Sequence, residues 1–261
     1  MNRRGHTCAP MATTDLHRQA REHSWYHTLE LAPDLVTDGW FDLRPYLHHY
    51  GLPERMDGMR ALEIGTWDGF WAFEMERRGA EVVALDLDDQ GELDWPPRRR
   101  PASFPAPEVR GSGFRLARQI LSSSVERVTC SVYDATPDEL GEFDLVFCGT
   151  VLVHLRDQFL ALERIAGLCR GLFISAEEYD RPSRFVPFPV SRYLADREAS
   201  VVFWLPSART WRRMMWSAGF ERVERHGTFT MRSRDGFKVP HVVHHATKPA
   251  GPPRSSGAAP R

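Results

Sequence analysis

The chain has 261 residues, 42% hydrophobic and 26% charged, with a formal net charge of -1. That balance suits one globular domain with a sizeable core. It excludes the global positive field that would gather nucleic acid or a membrane surface.

Residues 1–13 and 249–261 are rich in Pro, Gly, Ser and Arg, bury too little surface to order themselves, and read as disordered ends. Residues 14–58 form an N-terminal segment carrying Trp25, Tyr26, His27, Trp40, Phe41 and Tyr46. From residue 59 to 248 strands and helices alternate. Strand 60–64 (RALEI) runs into a glycine turn, helix 68–78 follows and stops at Gly79, and strand 81–85 ends at Asp86. Prolines then make 88–112 irregular. Helix 114–121 and strand 126–132 lead to Tyr133-Asp134, and strand 143–148 leads to Gly149-Thr150. The helix near 156–169 carries Phe159, Leu162, Ile165 and Cys169 at helical spacing. Strand 171–176 ends in Glu177-Glu178, helix 207–218 is closed by Gly219, and strands near 220–230 and 241–247 finish the domain. Repeated strand–helix units of this length predict a parallel sheet with helices on both faces, which binds ligands beyond the carboxyl ends of its strands.

No stretch has the apolar run of a signal peptide or a membrane span, and Cys8, Cys130, Cys148 and Cys169 lack C-x-x-C spacing. A reducing, cytoplasmic setting is therefore expected. In HVVHH (241–245), His241 and His245 share a strand face opposite His244, so a strand is expected there and no metal. Arg98, Arg99 and Arg100 read as a solvated loop, and Trp211, Met214 and Met215 as helix core.

The loop Gly65-Thr66-Trp67-Asp68-Gly69 holds the chemistry. Glycines at a strand-to-helix turn allow tight backbone and leave no side chain between main chain and ligand. The helix that follows offers free N–H groups to an anion. A pyrophosphate site would have glycine where Trp67 stands. A sulfonium nucleoside fits better, with one carboxylate and a cation that aromatic faces and carboxylates stabilise. Asp86, 21 positions after Gly65, is placed to accept both ribose hydroxyls, and Tyr133-Asp134 lies at the adenine edge.

Together Glu63-Ile64-Gly65-Thr66-Trp67-Asp68-Gly69, Asp86, Tyr133-Asp134 and FDLVFCGTVLVHL (143–155) resemble the ordered motifs of class I S-adenosylmethionine-dependent methyltransferases. GWFDLRPYL (39–47) and GTVLVHLRD (149–157) are similar to the group around the tRNA wobble-uridine carboxymethyltransferases. The resemblance implies a Rossmann-like α/β fold, with a seven-stranded sheet that is mostly parallel, an antiparallel last strand and helices on both faces. It implies S-adenosylmethionine as cofactor and S-adenosylhomocysteine as product, bound by Glu63, Gly65, Thr66, Trp67, Gly69, Asp86, Leu87, Tyr133, Asp134, Gly149 and Thr150.

For the acceptor, His154, Glu177 and Glu178 are the candidate proton-handling groups. The aromatic segment 14–58 is expected to act as a lid or cap, with Trp25, Tyr26, His27, Trp40, Tyr179 and Trp204 facing substrate. A small secondary metabolite is the expected acceptor. The alternatives are a tRNA nucleoside, which the absence of any lysine but Lys238 and Lys248 disfavours, and a non-methylating cofactor-binding role. No metal and no nucleic-acid partner are expected.

Overall fold

The computed structural model describes residues 13–100, 110–196 and 201–248. The expected disordered ends, apart from Thr13, and residues 101–109 of the proline-rich stretch lie outside the described residues. In chain order the elements are α1 (Thr13–Glu22), β1 (Glu30–Ala32), β2 (Leu35–Val36), β3 (Arg60–Ile64), α2 (Phe70–Arg77), β4 (Glu81–Asp86), α3 (Ser112–Leu121) and β5 (Glu126–Thr129). There follow α4 (Pro137–Leu140), β6 (Phe143–Gly149), α5 (Gln158–Leu168), β7 (Cys169–Glu178), β8 (Ser191–Tyr193), β9 (Trp204–Pro206), α6 (Ala208–Ser217), β10 (Arg222–Arg232) and β11 (Lys238–Thr247).

Seven strands form one sheet in the order β10-β11-β7-β6-β3-β4-β5. The five from β7 to β5 are parallel, while β11 runs antiparallel to both β7 and β10, so the single reversed strand lies one place in from the edge. Chain order turns back on itself between β3 and β6, where a crevice opens beyond the strand tips. Ile64 pairs with Leu85 on one side and Cys148 on the other, which makes Gly65, Asp86 and Gly149 the next residues at three adjacent tips.

Two elements are shorter than their composition suggests. Strand 126–132 stops at Thr129, because its partner β4 ends at Asp86 and the Ser131 carbonyl folds the chain into a turn by accepting the N–H of Asp134 and Ala135. Helix 68–78 begins at Phe70, because Gly69 is left-handed (φ 91°) and closes a turn onto the Thr66 carbonyl. Conversely, β7 runs on to Glu178 through its ladder with β11, where Glu178 faces His241.

Alternation along the strands sends side chains to two cores. Leu62, Ile64, Val146, Phe173 and Val242 pack on the side of α5 and α6. Ala61, Leu145, Phe147, Ile174 and Val243 pack against α2, α3 and the N-terminal segment, whose Trp25, Leu29, Leu31, Phe41 and Tyr50 are buried. Residues 14–58 thus share a core with the sheet. Short backbone bonds fix the segment: Thr28 N–H to the Phe41 carbonyl (2.9 Å), Phe41 N–H to the Tyr26 carbonyl (2.9 Å) and Arg234 N–H to the Trp40 carbonyl (2.8 Å).

At Gly39 the backbone of this segment passes over the His27–Thr28 peptide so closely that a Cβ would lie 2.1 Å from the His27 carbonyl carbon. Gly39→Ala is therefore expected to lower stability by about 2 kcal/mol or more through overpacking. Gly227→Ala, which meets nothing within 4 Å, is expected to stay within about 0.5 kcal/mol. Urea unfolding of the two variants checks this, and equal midpoints would remove the argument.

Candidate active site

The loop after β3 is built from unusual backbone. Gly65 has φ +76°, and a Cβ there would strike Val151 at 2.4 Å, so conformation and neighbour both require glycine. Trp67 is left-handed without being glycine (φ 48°), a state that persists only when its surroundings hold it. Asp86 supplies the hold: one carboxylate oxygen accepts the Trp67 N–H at 2.7 Å. The other accepts the Leu87 N–H at 2.8 Å and the Arg110 guanidinium at 3.0 Å. Arg110 lies 4.5 Å above the Trp67 ring centroid, and Tyr26 packs on the same indole at 4.7 Å. Below the loop, the buried Glu63 accepts the Thr66 hydroxyl at 2.6 Å and the Ala72 N–H at 2.9 Å. Burial pushes its carboxyl up to about 8, against those hydrogen bonds.

These tips open into a cavity of about 830 Å³, within the range of small-molecule sites. Of the expected cofactor residues, Glu63, Gly65, Trp67, Asp86, Leu87, Tyr133, Gly149 and Thr150 line it. Thr66 and Gly69 are buried and outside the lining, where they shape the loop. Asp134 is exposed and also outside it, carried away by the turn on Ser131. Cys130, Ser131 and Val132 line the cavity in its place. Tyr133 is fixed by donating to Asp94 at 2.5 Å and accepting the Asp157 N–H at 3.0 Å.

The paired glutamates are separated by the alternation of β7. Glu178 lines the cavity, half-buried, and burial raises its carboxyl while Arg192 opposes the rise. Glu177 faces the other core, where it accepts the Val151 and Leu152 N–H groups, each at 3.2 Å. It is a brace for the turn after β6, outside the cavity lining, and burial pushes it up to about 8. His154 lines the cavity with Nδ1 3.3 Å from the Val201 carbonyl, and burial lowers its pKa.

Among the expected substrate residues, Tyr26, His27 and Trp40 line the cavity. Trp25 does not, being buried with its indole N–H on the Ala20 carbonyl at 2.7 Å. Tyr179 is buried in the core under α5 and α6, and Trp204 is exposed against Tyr193; neither lines the cavity. Arg110, Asp94, Met231, Phe237 and Val239 line it without having been anticipated. Asp94 and Arg110 lie in the irregular stretch, where no periodicity marks direction, and the others come from distant strands and a turn that only the fold brings in. Among the described residues, no group of three or more His, Cys, Asp or Glu is arranged to hold a metal ion. No described helix is long and apolar enough to cross a membrane.

Residues 40–225 match the methyltransferase-domain family. The chain belongs to that family, whose members use S-adenosylmethionine. Particular relatives refine the picture. Magnesium-protoporphyrin O-methyltransferase of Rhodobacter capsulatus is 31% identical over 105 residues, 40% of this chain and 38% of that one. A biotin biosynthesis bifunctional protein of Cellvibrio japonicus is 44% identical over 50 residues, 19% of this chain and 10% of that one. The chain thus spans well under half the length of these curated relatives. In fold it is similar to the N-terminal domain of EvdMO1, solved with S-adenosylhomocysteine bound (TM-score 0.63, 17% identity, 92% of this chain and 98% of that one). It is also similar to a toxoflavin-precursor N1-methyltransferase of Burkholderia thailandensis (TM-score 0.50, 15% identity, 74% and 72%).

Asp86→Asn is expected to weaken S-adenosylhomocysteine binding about tenfold or more, the scale of a lost hydrogen bond to a charged group. Asp134→Asn is expected to leave it within about twofold; calorimetry reads both. The buried acids also set a pH dependence. Between about 4.5 and about 8 the folded state keeps a proton on Glu177 that the unfolded chain has released, so stability falls as pH rises through that window. Glu63 acts in the same direction. Glu177→Gln keeps the acceptor oxygen for Val151 and Leu152. It should flatten the decline in melting temperature between about pH 6.5 and about pH 8, and an unchanged slope would count against a neutral Glu177.

Proposed function

We propose that the protein transfers the sulfonium methyl of S-adenosylmethionine to a small aromatic acceptor, a secondary metabolite, by in-line displacement. One observation carries the acceptor class: beyond the strand tips the cavity continues between the N-terminal segment and β10–β11, walled by Tyr26, Trp40, Phe41, Met231, Phe237 and Val239. Flat apolar walls select planar apolar ligands. Among the described residues Arg110 is the one arginine or lysine in that lining, and Asp86 already pairs with it. This speaks against a polyphosphate such as tRNA, whose binding needs several unpaired cations.

In this reading the tips of β3, β4 and β5 hold the nucleoside, with Asp86 turned to the ribose and Trp67 and Tyr26 presenting π-faces to the cofactor. The cofactor supplies the activated methyl carbon. The protein's own contribution is alignment and exclusion of water, because a sulfonium displacement disperses charge rather than creating it. Glu178, half-buried on the cavity wall, is the group suited to take the acceptor's proton, with its carboxyl raised towards the working pH. The free thiols Cys130, Cys148 and Cys169 suit a reducing cell interior, where the cofactor is made.

Incubation with methyl-labelled S-adenosylmethionine and a panel of aryl alcohols, acids and amines should give labelled products by mass spectrometry. Glu178→Gln should lower turnover about a hundredfold while S-adenosylhomocysteine affinity stays within about twofold. Salt-sensitive micromolar binding of tRNA, with no aryl product, would overturn the small-molecule reading.

A further inference from the structure

Thr150, which the resemblance places among the cofactor residues, is paired with His241, a residue outside those motifs. Thr150, first after β6, lines the cavity in a left-handed conformation (φ 57°), which for a β-branched residue is strained. Two contacts hold it: its N–H on the Ala176 carbonyl at 2.8 Å, and its hydroxyl 2.7 Å from His241 Nε2. His241 is fully buried on β11, with Nδ1 2.9 Å from the Val239 carbonyl and its ring stacked on Phe229 at 5.0 Å.

The direction of these bonds follows from the acceptors. The Val239 carbonyl only accepts, so Nδ1 carries the proton. Burial keeps the ring neutral, lowering its pKa to about 4, so Nε2 is bare and accepts in turn. The Thr150 hydroxyl donates to it in preference to the Ala176 carbonyl, which lies 3.4 Å away. With its one proton committed, the hydroxyl of Thr150 can offer the cavity that this residue lines only an acceptor.

We propose that Thr150, oriented by His241, accepts a hydrogen bond from the O–H or N–H of the bound methyl acceptor and so aims that atom's lone pair at the sulfonium carbon; as the atom is methylated it releases this proton to Glu178. Thr150 touches the substrate and His241 is its positioning residue. The assignment rests on the aryl reading of the cavity and narrows it: the substrate carries its donor on the reacting atom, and a methylated product, having lost that donor, is held less well. A polar donor matched to a buried fixed acceptor discriminates strongly against analogues that lack it.

The test uses the full chain saturated with S-adenosylhomocysteine, titrated with 2-naphthol and with 2-methoxynaphthalene and followed by NMR. In the wild type, 2-naphthol should bind about fivefold or more tighter than the ether, the scale of one net hydrogen bond. Thr150→Val should bring the ratio to about one, and Thr150→Ser should restore it. His241→Phe, which keeps a ring against Phe229 but removes Nε2, should lower it; if that variant does not fold, the Val and Ser pair decides alone. Equal binding of both probes by the wild type, or an unchanged ratio in Thr150→Val, would overturn the assignment while leaving the aryl site standing. Failure of both probes to bind would remove the aryl reading and this assignment with it.

Discussion

The bond from the Trp67 N–H to the Asp86 carboxylate, 2.7 Å long, is the constraint on which the strand-tip end of the cavity depends. Trp67 occupies a backbone conformation that costs energy for any residue but glycine, and it does so just beyond the tip of β3. Without a fixed acceptor at the next tip, the loop would relax and its indole would swing out of the wall. Asp86 is there because β4 pairs with β3 in a register that ends one residue before it. The same carboxylate is nearly buried and also takes Arg110, so its charge is balanced within the site and the guanidinium is held over the indole. Strand register, loop strain and local electrostatics thus converge on one side chain.

A second carboxylate, Asp68, carries the same logic outward. One of its oxygens accepts the N–H groups of Tyr26 and His27, at 2.7 and 3.0 Å, which ties the N-terminal segment to the loop rather than leaving it to hydrophobic contact alone. Because Tyr26 also packs on Trp67, movement of either the loop or the segment is felt by the other. The far side of the segment is anchored on the β10–β11 turn, where Arg234 donates to the Trp40 carbonyl and the Trp40 indole donates to Asp235 at 3.0 Å. The aromatic wall is therefore part of the folded body. Its rings divide by depth: Trp25 and Phe41 belong to the core, and Tyr26 and Trp40 are half-buried at the cavity.

The parallel strands and the glycine turn were readable because each is a local pattern: a short β-rich run, a turn residue, a charged residue at the tip. Gly65 and Asp86 follow directly from that pattern. Asp134 does not, because its position depends on where β5 loses its partner, a fact about β4 rather than about residues 126–134. Glu177 and Glu178 could not be told apart along the chain, since neighbouring residues on a strand face opposite sides and only the layers above and below decide which side holds the ligand. The short elements α1, β1 and β2 escaped for a related reason: α1 and β1 pack on α3, β2 pairs with β1, and little of their stability is intrinsic.

The acidic residues near the strand tips show how the fold divides one residue type among different tasks. Glu63 and Glu177 sit on opposite faces of the sheet, Glu63 towards α2 and Glu177 towards α5 and α6, and each accepts backbone N–H groups of the segment that follows a strand tip. Neutral carboxyls serve that task without the cost of a buried charge, and burial drives both towards the neutral form. Asp86 instead pairs with Arg110, and Glu178, half-open to the cavity, has its carboxyl raised by burial while Arg192 opposes the rise. The two acids that line the cavity from strand ends, Asp86 on β4 and Glu178 on β7, thus stand on either side of β3 and β6, and each has an arginine close by.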